Sequence, residues 1–190
     1  MSFTLLITSP AFFHSLVGAS RIFLSPIIIS TGMLNPVTLV FNGKDEWLTP
    51  PEIINCLGPF DLDPCSPIDR PWDTAERHLT ILDDGLVSDW GNDFVWCNPP
   101  YGTQTWKWLD KLSRHPGGGI ALIFARTETV GFFSNIWSSA SSLLFLKGRL
   151  SFYHVDGHKA DSAGAPSVLV GYGNLASDRI LNSGISGGLS

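Results

Sequence analysis

The segment "DFVWCNPPYGTQTWKW", residues 93–108, decides the fold. An apolar run rich in β-forming residues, 94–97, stops at Asn98. Two prolines, a tyrosine and a glycine follow, and then a helical pattern begins over 103–115, with Trp108, Leu109 and Leu112 on one face. A buried strand that passes through a proline-stiffened turn into a helix is a building step of an α/β protein.

The flanks repeat this step. "IALIFA" (120–125) is an uninterrupted apolar strand of the kind a parallel sheet buries on both faces. A second helix is expected over 129–140, and strands over 142–148, 149–155 and 167–173. Upstream, "TPPEIINCLG" (49–58) reads as a helix, with Thr49 as cap, prolines in the first turn, Glu52 closing a capping box and Gly58 ending it. "PFDLDPC" (59–65) is a short strand ending in a turn. Residues 66–92 read as mostly loop with a helical turn near 74–78, residues 157–166 as a polar loop, and 176–190 as a flexible Gly/Ser-rich tail. The expected fold is one Rossmann-like α/β domain over 44–175, with a mainly parallel sheet and an antiparallel edge. Asp63 and Asn98 would each end a strand, and in such sheets ligands sit at the carboxyl ends.

Residues 1–43 differ in kind. They are apolar and Ser-rich with Arg21 as the single charge, and their apolar runs are cut by Pro10, His14, Arg21 and Pro26. They lack the basic start of a secretory signal and the ~20 consecutive apolar residues of a spanning helix. A leader outside the catalytic domain, with the true start at Met33, is the expectation.

The chain of 190 residues has a net charge of −5, which argues against a simple polyanion binder. The charge is segregated, however. Residues 44–97 hold twelve Asp/Glu against three Lys/Arg, whereas 98–160 hold seven Lys/Arg against three Asp/Glu. A polyanion can therefore be gripped on one side, by Lys107, Lys111, Arg114, Lys147, Arg149 and Lys159. Cys56, Cys65 and Cys97 show no CxxC spacing, and the five histidines show no metal-ligand spacing. Together these imply a reduced compartment and no metal.

Asn98-Pro99-Pro100-Tyr101 carries the chemistry. An exocyclic amine has two N–H donors, and its lone pair is delocalised into its ring. Making it nucleophilic requires acceptors for both hydrogens, and the Asn98 side-chain oxygen and the Pro99 carbonyl supply them. The prolines hold those acceptors rigidly, Tyr101 can lie against a planar ring, and Gly102 lets the chain turn away. Cys97 ends a buried strand, so a small core residue is favoured there over a thiol nucleophile.

With that motif in place the chain resembles the phage-type DNA N6-adenine methyltransferase (Dam) family. "DEWLTPPEI" (45–53), "FDLDPCS" (60–66), "DDGLVSDW" (83–90), "CNPPYG" (97–102), "GRLSF" (148–152) and "PSVLVGYG" (166–173) stand in the family's order. The resemblance implies S-adenosylmethionine as cofactor and double-stranded DNA as partner. It also implies a monomer without metal or membrane attachment, acting in the cytoplasm as a phage or prophage product. Asn98, Pro99, Pro100 and Tyr101 would be catalytic. Thr49 and Pro50 would lie near the cofactor's amino-acid end, and Asp63, Pro64 and Cys65 against its methionine and ribose. Asp89 and Trp90 would edge its adenine, and the ribose acid is open between Asp84 and Glu76. The chain departs from larger methyltransferases in having no GxGxxG. Phe152 is either the far wall for a flipped base or a core residue, Lys147 and Arg149 would hold phosphates, and Arg126 is open between backbone and cofactor. NPPY also occurs in methyltransferases of RNA bases and of protein glutamine, and an inactive nucleic-acid-binding relative is a further reading. Sequence reading would fall to loops such as 66–82 or 156–166.

Overall fold

The computed structural model describes residues 47–190; the leader, Met33 included, lies outside the described residues. Nine strands are present among the described residues: β1 (Leu62–Asp63), β2 (Arg77–His78), β3 (Val95–Cys97), β4 (Gly119–Phe124), β5 (Ser142–Leu146), β6 (Ser151–Tyr153), β7 (Lys159–Ser162), β8 (Ser167–Tyr172) and β9 (Gly187–Leu189). The helices are α1 (Pro51–Leu57), α2 (Thr105–Ser113), α3 (Val130–Phe132, continuing as a π-helical turn over Phe133–Trp137) and α4 (Asn174–Asn182).

Seven strands form one sheet in the order β2-β1-β3-β4-β8-β5-β9, while β6 and β7 form a separate antiparallel ribbon. The pairings β1–β2, β1–β3 and β3–β4 are parallel; β4–β8, β8–β5 and β5–β9 are antiparallel. The sheet is thus mixed, and antiparallel pairing is not confined to its edge. The reason is the route of the chain. After β5 it turns into the β6–β7 ribbon instead of a crossover helix, so β8 runs back between β4 and β5. Because β8 opposes both neighbours, β2, β1, β3, β4 and β5 all point the same way and share one carboxyl edge.

Both faces are covered. Trp108, Leu109 and Leu112 of α2 and Phe132 and Ile136 of α3 pack on Val95, Cys97, Ala121, Ile123, Val168 and Val170. Ile53, Ile54 and Leu57 of α1 and Ala176 and Ile180 of α4 pack on the other face, on Trp96, Ile120, Leu122, Leu144 and Leu169. This is why the central strands read as unbroken apolar runs.

Several expectations need correction. Thr49 does not cap α1: Pro50 is the cap residue, no side chain caps the helix, and a proline has no side-chain oxygen to accept from the first-turn amides. The expected helical turn near 74–78 is instead β2, parallel to β1. The expected loop 157–166 contains β7, paired to β6. The segment expected to be a flexible tail, 176–190, carries most of α4 and all of β9. Ala176 and Ile180, four apart, bury one face of that helix. Arg179 donates to the Leu57 carbonyl at 3.0 Å and to the Pro59 carbonyl, and its guanidinium lies 4.6 Å from the Phe94 ring centroid.

Candidate active site

In the strand order, β1 has β2 on one side and β3 on the other, so the chain reverses its direction of travel across the sheet between β1 and β3. In α/β sheets the ligand crevice lies outside the carboxyl ends of the strands at such a switch point. Asp63 is the last residue of β1 and Asn98 follows the last residue of β3. The two sides meet closely, with Cys65 Sγ 3.8 Å from Cys97 Sγ. Burial and the Cys97 sulfur push the Cys65 thiol up from its ordinary pKa, which suits packing and not nucleophilic attack.

The Asn98 amide is oriented by a backbone carbonyl distant in the chain. Its Nδ2 donates to the Trp47 carbonyl at 2.9 Å. A carbonyl can only accept, so the amide nitrogen must face Trp47 and Oδ1 faces the opposite way. Tyr101 reaches Oδ1 through a long 3.4 Å hydroxyl contact. Its ring stacks on Phe124 at 4.1 Å between centroids and 8° between planes, and stands edge-on to Phe152 at 6.3 Å. Burial raises the Tyr101 pKa, so the phenol stays protonated and is a donor. The turn itself is pinned by Thr105, whose hydroxyl donates to the Pro100 carbonyl at 2.8 Å. Gly102 has a φ of 124°, which favours glycine and lets the chain leave the turn for α2.

Thr49 passes the same place. It is 2 % exposed, and its hydroxyl oxygen has no hydrogen-bond partner among the described residues. The side-chain oxygens of Gln104, Ser142 and Ser167 are likewise buried without a partner among the described residues. Pro50 is buried next to it. Asp63 is 4 % exposed; it accepts the Cys65 N–H at 3.1 Å and the Thr74 hydroxyl at 2.5 Å. Burial raises its pKa from 3.8 to about 6, with both donors and Arg70 pulling the other way. Pro64 is buried behind it.

Asp89 and Trp90 are not brought to this crevice. They precede β3, on its amino side. Trp90 is a core residue: its indole N–H donates to the Gly85 carbonyl at 2.8 Å, and its ring stacks near Trp108 and edge-on to His115 at the far end of α2. Asp89 is exposed and accepts the Gly91 N–H at 2.9 Å, a turn-forming bond. The part of that loop that does reach the crevice is Gly85. A Cβ on Gly85 would lie 1.9 Å from the Pro64 carbonyl oxygen, so only glycine allows the approach, and Asp84 stands beside it with a φ of 48°.

Phe152 is a core residue, 4 % exposed, and it stands edge-on to Tyr101. Lys147 and Arg149 are exposed and follow the carboxyl end of β5, on the Asn98 edge of the sheet and three strand positions away, about 14 Å. Lys111 is engaged elsewhere, and Arg114 is in an exposed pair on the helix surface. Lys111 Nζ donates to the carbonyls of Gly85, Leu86 and Ser88 and lies over the Trp90 ring, and Arg114 pairs with Asp110. The two loops considered for sequence reading come together: Gly157 lies against Pro71, and Trp72 stands edge-on to Tyr153 at 5.2 Å while donating to the Thr49 carbonyl. Phe124, Thr105, Thr74, His78 and the Trp47 carbonyl were not singled out by the sequence. A hydroxyl or carbonyl that acts by position leaves no periodic signal.

The model of the family described as DNA N-6-adenine-methyltransferase (Dam) matches residues 38–186. The chain belongs to this family. Dam membership implies methylation of adenine N6 in DNA, and the match takes in every strand of the sheet except β9. No curated protein and no solved structure matches the chain. Among the described residues, no group of three or more His, Cys, Asp or Glu could hold a metal ion, and no helix is long and apolar enough to cross a membrane.

Proposed function

We propose that the chain transfers a methyl group from S-adenosylmethionine to N6 of an adenine flipped out of double-stranded DNA, through Asn98-Pro99-Pro100-Tyr101. The observation that carries this reading is the locked amide of Asn98. Its nitrogen is fixed on the Trp47 carbonyl, and its oxygen is turned toward Tyr101 at the carboxyl edge of the sheet.

The residues at the switch point fit the cofactor. The buried Asp63 carboxylate suits the cationic methionine end. The unpaired Thr49 hydroxyl offers that end a further hydrogen bond, with Pro50, Pro64 and Cys65 as apolar surroundings. We assign Asp84, carried to the crevice by the close approach of Gly85, to the ribose hydroxyls. When bound, S-adenosylmethionine supplies an electrophilic methyl group on a good leaving group.

The chain's own residues do the rest. Flipping exposes N6 at a cost of a few kcal/mol in lost stacking and pairing. The face of the Tyr101 ring away from Phe124 receives the base. Asn98 Oδ1 exchanges its long contact with the Tyr101 hydroxyl for one N6 hydrogen, and the Pro99 carbonyl takes the other. Accepting both hydrogens pulls the amine out of conjugation and aims its lone pair. Holding the two reactants in line supplies much of the rate. Lys147, Arg149 and Lys159 grip phosphates.

The test is incorporation of labelled methyl from S-adenosylmethionine into unmethylated duplex DNA, RNA and protein, followed by digestion of the DNA. N6-methyladenine in the duplex is expected. Label confined to RNA or to protein, or none at all, overturns the reading.

A further inference from the structure

The crevice contains a relay that the methyl-transfer scheme does not use. Asp63 is held by Thr74, a residue 6 % exposed in the segment between β1 and β2. A hydroxyl 2.5 Å from a carboxylate oxygen can only be donating, so Thr74 Oγ1 fixes Asp63 Oδ2 while the Cys65 N–H fixes Oδ1. Thr74 is held in turn by His78. Its Nε2 lies 3.2 Å from the Thr74 nitrogen and 3.3 Å from the Ala75 nitrogen, and both backbone N–H groups donate to it. An imidazole nitrogen that accepts two N–H groups carries no proton, so the ring is neutral with its hydrogen on Nδ1. His78 also sits directly across from Asp63 in the parallel β1–β2 register. Burial and the neighbouring Arg70 favour the neutral ring, against Asp73. The line from His78 through the 74–75 backbone to Thr74 and Asp63 is thus continuous.

Fixing a turn does not require a charge. An amide or hydroxyl in place of Asp63 would accept the Cys65 N–H without a buried carboxylate. The charge is useful if a cation arrives, and two donors on its inner side leave the remaining lone pairs for it.

We propose that Thr74 is the positioning residue of the cofactor site, with His78 acting through it to aim the Asp63 carboxylate at the cationic methionine end of the methyl donor. This rests on the function proposed above, and it adds two residues and a division of labour. Thr74 and His78 touch neither cofactor nor substrate. Removing either should weaken cofactor binding and leave the methyl-transfer step intact.

The experiment measures S-adenosylmethionine affinity by calorimetry and methylation kinetics on the full chain, for the parent, Thr74→Val, Thr74→Ser and His78→Gln. Loss of a hydrogen bond to a charged group should raise Kd and the KM for S-adenosylmethionine about tenfold in Thr74→Val. Its kcat at saturating cofactor should stay close to that of the parent. Thr74→Ser, which restores the donor, should recover most of the affinity, and His78→Gln, which keeps an acceptor, should lie between. The pH profile is the readout that packing alone would not move. Asp63 is faced by the Thr74 hydroxyl, the Cys65 N–H and thiol, and Arg70, and losing the Thr74 donor should shift the acid limb of cofactor affinity to higher pH. If valine prevents folding, Thr74→Ala carries the same comparison. Unchanged affinity in Thr74→Val, or equal weakness in valine and serine variants with an unmoved pH limb, overturns the inference while the parent's binding upholds the proposed function. A parent chain that binds no S-adenosylmethionine overturns both.

Discussion

Asp63→Asn separates what the carboxylate costs from what it does. Burial lifts the Asp63 pKa from 3.8 to about 6, despite the Thr74 and Cys65 donors and Arg70. Below 3.8 the group is neutral folded or unfolded and its charge costs nothing. As pH rises through about 6 the folded protein must ionise a buried acid, so that part of its stability is lost. With each pH unit worth ~1.4 kcal/mol, carrying the charge at neutral pH costs about 3 kcal/mol. Asparagine is nearly isosteric. Its Oδ1 keeps the Cys65 N–H, and the Thr74 hydroxyl can rotate to accept from Nδ2. Asp63→Asn should therefore raise the stability of the free protein at about pH 7.5 by up to ~3 kcal/mol, and the gain should vanish near pH 4. Urea unfolding of parent and variant at both values checks this. The same variant should bind S-adenosylmethionine poorly, so that the cofactor raises the Tm of the parent and not of the variant. Refutation would be a variant that is less stable at both pH values by the same amount. That result would mean the carboxylate is needed to build the β1 turn and is not held against its own cost for a ligand.

Asn98→Ala should abolish turnover, with a loss of ~2.7–4 kcal/mol by analogy with a missing acceptor or donor at a reacting group, while cofactor affinity stays within a few-fold. Single-turnover kinetics beside calorimetry check both halves. Lys147→Ala and Arg149→Ala should each weaken DNA binding across sequences and flatten the dependence of affinity on salt by about one unit of slope. Lys111→Met should leave that slope unchanged and lower the urea midpoint, because its ammonium serves three loop carbonyls and the Trp90 face.

The parts of the site that the sequence displays are those built from consecutive residues. A strand that ends in Asn98 and two prolines announces its geometry locally, because proline fixes φ and the apolar run fixes burial. Asp63 is legible for the same reason. Asp89 and Trp90 show where this kind of reading stops. "DDGLVSDW" has a strong local pattern, but which end of it meets the crevice depends on Gly85 resting on the Pro64 carbonyl and on Trp90 stacking against Trp108. Both contacts lie far along the chain from the loop itself. Strand β2 was hidden because Arg77 and His78 belong to an edge strand, with one side exposed and no apolar alternation to read. The ribbon strand β7 was hidden because "KADS" has no β-forming character, and its pairing with Ser151–Tyr153 decides its conformation.

The deepest dependence of this kind lies in Asn98. Asn98 can serve an amine only with its oxygen toward the substrate, and nothing in Asn-Pro-Pro-Tyr chooses between the two faces of an amide. The choice is made by the Trp47 carbonyl, 51 residues away. That carbonyl is in turn set by Leu48, which pairs with Tyr153 through reciprocal backbone bonds of 2.8 and 3.0 Å. Tyr153 belongs to the β6–β7 ribbon, whose neighbour Phe152 meets Tyr101 edge-on. The ribbon that follows β5 is therefore also what orients the Asn98 amide. The Asn98 amide and the ribbon are in this way joined through Trp47 and Leu48, although no local motif connects their residues.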